Sequence, residues 1–122
     1  MRHTGAACLL ATFTALGAAA QGEEVTAGTG AVLRGLDTVN ASITDIDLPI
    51  GGSTEFGRLS VRLDQCRYPA DDPAGDAYAF LTITDSASGA ALFSGWMLAS
   101  SPAINALEHP RYDIWVLRCK TE

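Results

Sequence analysis

Basic residues are few in this chain of 122. Eight Lys and Arg stand against fourteen Asp and Glu, for a net charge of −6. A nucleic-acid binder needs a basic footprint to displace counterions from phosphates, so this balance excludes that class. It argues equally against docking on anionic lipid. Charge as a whole is scarce, at 18% against 48% hydrophobic residues, which is not the composition of a disordered chain. No internal repeat is visible, and the length allows one core rather than two. Several chemical signatures are missing as well. There is no C-x-x-C and no H-x-x-x-H spacing for a metal or redox centre. There is no G-x-S-x-G turn to present a serine nucleophile. The composition thus calls for no metal and no cofactor, and it offers no recognisable catalytic kit.

What is present begins with an export signal. Arg2 and the amino terminus form a short cationic region, followed by small and apolar residues over 6–16. Ala18-Ala19-Ala20 then supplies small residues before Gln21, the layout cleaved by signal peptidase. The apolar stretch is too short for a stable transmembrane helix, which needs about 20 residues. Cleavage after Ala20 is therefore expected to leave a periplasmic chain with no transmembrane segment. Residues 21–29 are polar, acidic and glycine-containing and read as a flexible leader. Residues 30–122 read as a single β domain.

Cys8 leaves with the signal, so Cys66 and Cys119 remain, an even number in an oxidising compartment. A structural disulfide is the expectation. Closing so long a loop removes denatured-state entropy worth about 4 kcal/mol in the chain-entropy account.

The rest is a string of strand signals. Residues 31–37 and 43–48 are two short apolar runs separated by a turn. Leu59, Val61 and Leu63 alternate with Arg58, Ser60, Arg62 and Asp64, with Gly57 marking an expected bulge. Residues 67–76 read as a loop. Residues 77–84 carry bulk on both faces, as a central strand does, and residues 85–89 turn them into residues 90–98. Ser101 and Pro102 look like the cap and first position of a short helix over 103–108, stopped by Pro110. Residues 112–119 form a last strand. The expected fold is mainly β, a small sandwich or partly open barrel of about six strands with one short helix.

Two segments stand out, one running from Leu92 through Gly95-Trp96-Met97 and Ser100-Ser101-Pro102 to Ala103, the other from Leu107 through His109-Pro110-Arg111-Tyr112-Asp113 to Cys119. With Cys66-Arg67-Tyr68-Pro69 and Ala79-Phe80-Leu81, they resemble the alphaproteobacterial domain of unknown function numbered 2155. The resemblance covers nearly all of the expected mature chain. It implies a small exported protein of Gram-negative alphaproteobacteria, without an established activity and without catalytic residues to carry over. Its genomic associations imply an envelope partner: an inner-membrane complex, the respiratory NADH dehydrogenase among them, or envelope lipid transport.

Candidate sites follow from side-chain chemistry. After cleavage His109 is the one histidine left; beside Glu108, Arg111 and Asp113 it could serve as a general base, with Ser94, Ser100 or Ser101 as nucleophile. The plainer reading is a structural histidine. Asp71, Asp72 and Asp76 around Gly75 offer hard oxygen ligands for calcium, but in no EF-hand spacing, so a solvated acidic loop is the simpler expectation. Trp96, Tyr68 and Tyr112, with His109 and Asp113, are the expected binding residues. Residues 95–112 join two strands through a loop, and loops on a rigid β scaffold commonly carry binding. The expectation is a non-enzymatic binding or accessory protein of an envelope complex. A small-ligand module is the second reading and a His109 hydrolase the third.

Overall fold

The structure is a computed structural model that describes residues 24–122. The expected signal over 1–20 and the start of the leader lie outside the described residues. Eight strands make two antiparallel sheets that face one another without closing into a barrel. The strands are β1 (Val25–Ala27), β2 (Gly30–Asp37), β3 (Ser42–Pro49), β4 (Ser53–Phe56), β5 (Leu59–Pro69), β6 (Tyr78–Asp85), β7 (Ala91–Leu98) and β8 (Tyr112–Lys120). Sheet A runs β1-β5-β6-β7, with β4 also on β5; sheet B runs β3-β2-β8.

Alternation along each strand builds the core. Leu59, Val61, Leu63, Leu81 and Ile83 of sheet A meet Leu33, Ile114 and Val116 of sheet B, all essentially without solvent contact. Each such side chain contributes about 1.5–3 kcal/mol by leaving water.

Three bulges modify this alternation. The register slips at Asp64 in β5, at Leu92 in β7 and at Leu117 in β8. Each adds one residue opposite none and so exchanges the faces of everything beyond it. After Asp64, Gln65 and Arg67 point outward and Cys66 inward; after Leu117, Arg118 points outward and Cys119 inward. The two cysteines meet between the sheets as a disulfide, with Cα atoms 5.8 Å apart.

Several expectations need correction. No helix forms over 103–108, which are turns and irregular chain. Six residues between two prolines cannot recover the cost of helix nucleation. The segment is held instead by Leu107, which is buried, and by Asn105 Nδ2, which donates to the Trp96 carbonyl at 2.9 Å. The described residues hold eight strands rather than six, because β1 and β4 are short pieces recruited to one edge of β5. Within the expected flexible leader, Val25–Ala27 are strand, paired with Arg67–Pro69. β5 accordingly extends to Pro69, into the expected 67–76 loop. Gly57 lies at φ +60° in the β4–β5 turn rather than at a bulge.

The outer face of sheet B is closed by charge. Arg34 donates to Asp45 at 2.7 and 3.2 Å, and Lys120 reaches Asp47 at 2.6 Å. Both acids lie on β3, the open edge strand that ends in Pro49. Among the described residues, no helix is long and apolar enough to cross a membrane.

Candidate functional site

The register of sheet A lines up three residues at a time on its outer face. Arg67, Tyr78 and Leu98 form one row, and Gln65, Phe80 and Trp96 the next. Beyond the bulges the rows turn polar: Arg62, Thr82 and Ser94, then Ser60 and Thr84. In the polar half, Thr82 donates its hydroxyl to Asp64 at 2.7 Å, and Arg62 pairs with the same carboxylate at 2.9 Å.

The other half is aromatic. Trp96 is 37% exposed, although it sits edge-on to Phe80 with ring centroids 5.3 Å apart. The Arg67 guanidinium lies 6.0 Å from the centre of the Trp96 ring, within cation–π range. Its Nη2 donates to the Gln65 side-chain carbonyl at 2.6 Å, and among the described residues no carboxylate pairs with it. Val25, Arg67, Tyr78, Trp96 and Leu98 enclose an open concavity of about 330 Å³ whose walls are almost wholly hydrocarbon. Tyr78 also borders a second hollow, lined by Pro69, Asp71, Asp72, Gly75 and Asp76.

The other expected binding residues are elsewhere. Tyr68 packs from the inner side against the core. Tyr112 is buried: it shares the inner face of β8 with Ile114 and Val116, meets Phe56 edge-on at 5.7 Å, and accepts the Arg58 amide on its hydroxyl at 3.1 Å. A side chain at Gly57 would collide with this ring. Asp113 is exposed on the opposite face of β8, beside a shallow hollow lined by Pro102, Ala103 and Trp115.

His109 serves the backbone. Its Nδ1 accepts the amides of Arg111 at 3.0 Å and Tyr112 at 3.2 Å, which places any single ring proton on Nε2. Arg111 stands over the Tyr112 ring and grips Asp37 with two bonds of 2.9 and 2.8 Å. That hydrogen-bonded guanidinium holds the Asp37 carboxyl below the usual carboxylate range, against the opposing effect of burial. The cluster ties β2 to the entry of β8.

Of the candidate nucleophiles, Ser100 donates its hydroxyl to Asp76 at 2.7 Å and its amide to the same carboxylate at 3.0 Å. Asp76 also receives the Ala77 amide, and Asp72 receives that of Ala74. The acidic loop is thus partly spent on its own folding. Among the described residues, no three His, Cys, Asp or Glu side chains are grouped so as to hold a metal ion.

Comparison with known proteins places the chain. The DUF2155 family, described as an uncharacterized protein conserved in bacteria, matches residues 31–119, and the chain belongs to it. An uncharacterized protein of Rickettsia prowazekii (strain Madrid E), RP359, is 32% identical over 87 residues. That match covers 69% of this chain and 56% of the relative, so the chain spans little more than half of that protein's length. No solved structure matches.

Proposed function

We propose that this member of the family is a non-enzymatic binding protein of the periplasm, accessory to another envelope protein, which it engages through the Trp96 end of sheet A. One observation carries the reading. Trp96, Tyr78, Leu98 and Val25 gather around Arg67 on an exposed, otherwise hydrocarbon concavity. Trp, Tyr and Arg are the residues that dominate binding energy at protein interfaces. The concavity is open, whereas a small-molecule site buries most of its ligand. A protein surface suits it better. The periplasmic location rests on the signal layout of residues 1–20 and on a disulfide of the kind that oxidising compartments sustain. An inner-membrane complex, respiratory ones included, is the partner class that the family resemblance implies.

A photo-crosslinking residue at Leu98, on the rim of the concavity, tests the docking. It should capture one envelope protein in living cells, and Trp96→Ala should abolish that product. The same probe at Ile43, exposed on sheet B, should give no such product. Equal products from both positions, or none from Leu98, would sink the reading. For the location, the chain recovered from the periplasm should begin at Gln21. Recovery from the cytoplasm with Met1 retained would refute it.

A further inference from the structure

Resting on this docking reading, we infer that the partner presents an apolar side chain with a carboxylate beside it, the apolar group against Trp96 and the carboxylate on Arg67. The argument is one of desolvation. Arg34, Arg62 and Arg111 each end on a carboxylate of this chain. Arg67 ends on the neutral amide of Gln65 and on the face of Trp96. Arg67 as a whole is half-buried, and among the described residues no carboxylate takes its remaining donors. An apolar surface docked in the concavity that Arg67 lines with Val25, Tyr78, Trp96 and Leu98 would exclude water there and bring no counter-charge to the cation. Removing a charge from water without a partner costs several kcal/mol, so an entirely apolar partner is disfavoured by the site itself. A carboxylate offsets that penalty, and guanidinium is shaped to take it with two parallel bonds.

The neighbouring hollow sets a second condition. Asp71, Asp72 and Asp76 line the hollow that shares Tyr78 with this concavity. An acidic run extending in that direction meets like charge. The occupant is therefore a protein segment with a single acid next to its apolar anchor, continuing uncharged or basic past Tyr78. The order of charges fixes which way the segment lies.

Random peptides displayed on phage, selected against the full disulfide-bonded chain, test this. The selected sequences should share an aromatic or aliphatic residue with one Asp or Glu beside it. Their binding should be lost in Trp96→Ala and weakened about tenfold or more in Arg67→Gln, in line with the loss of a desolvated charge pair. Gln65→Glu keeps Arg67 but gives it an internal carboxylate, and selection against this variant should lose the acidic preference while keeping the apolar one. Both Arg67 and Gln65 point outward, so an unchanged unfolding midpoint certifies each variant. Trp96-dependent peptides that carry no acid, or a base in its place, overturn the inference and leave the docking face standing. The absence of any Trp96-dependent peptide overturns both.

Discussion

β5 of sheet A and β8 of sheet B face each other across the core and are fastened at both ends by different means. At the C-terminal end the fastening is the Cys66–Cys119 disulfide. At the N-terminal end it is Tyr112, whose hydroxyl takes the Arg58 amide from the β4–β5 turn, backed by His109, Arg111 and Asp37. The covalent end acts on the unfolded chain, which it confines. The polar end acts only on the folded state, because its parts come from β2, the β4–β5 turn and the entry of β8. The contrast explains why residues that resemble a binding or catalytic set on paper are a fastening here. His109, Tyr112 and their neighbours are occupied with one another.

The difference can be tested by taking each end apart. Replacing Cys66 and Cys119 together by Ala should cost the most, about 4 kcal/mol, read as a lowered urea midpoint. A chain that unfolds at the same midpoint without the disulfide would remove the covalent half of the comparison. Next comes Gly57→Ala, which forces a side chain into left-handed backbone and onto the Tyr112 ring. A loss of about 1–3 kcal/mol is expected in the same measurement. Tyr112→Phe keeps the ring and removes only the hydroxyl, so it should cost about 1 kcal/mol. An unchanged midpoint in Tyr112→Phe would mean that packing alone does the fastening.

The smallest effect separates the ends by pH. Asp37 is held below its ordinary value of 3.8, chiefly by its hydrogen bond from Arg111. The folded state therefore binds fewer protons than the unfolded state in this range. The stabilisation is fully present above the unfolded value and fades as pH falls through the lower folded one. Asp37→Asn should make the acid-induced loss of stability below about pH 4 shallower, without flattening it, since Asp45 and Asp85 are held low as well. The disulfide does not titrate, so the Cys66 and Cys119 double variant should keep the wild-type acid slope.

Much of the scaffold is legible in the amino-acid order. The alternation of Leu59, Val61 and Leu63 announces an inner face, the bulk on both sides of 77–84 announces a central strand, and the pair Cys66 and Cys119 beyond the signal-like segment announces the disulfide. β1 and β4 have no such pattern: Val25–Ala27 is exposed throughout, and both strands exist because the edge of β5 has main-chain groups to pair. The helix cap at Ser101-Pro102 is a true local signal defeated by length. Tyr112 reads as a binding residue at a loop edge beside Pro110, yet alternation through Ile114 and Val116 turns it inward. The bulges hide the proposed docking face from such alternation. Strict alternation from Leu63 sends Arg67 to the core side, and no local feature of Asp64 declares that the strand skips a residue there.

That skipped residue has a consequence for how the two sheets are joined. Asp64 and Leu117 act like one-letter insertions in a reading frame, one in each strand, and each turns its own cysteine inward. A strand laid down without its insertion leaves its cysteine on the outside, facing away from its mate. In the folded chain the two sulfurs meet between the sheets only with both strands in the correct frame. The Asp64 insertion that brings Cys66 inward also turns Arg67 out beneath Trp96. The disulfide and the proposed surface thus share one frame: in the folded chain, the β5 register that joins Cys66 to Cys119 is the same one that presents Arg67 outward.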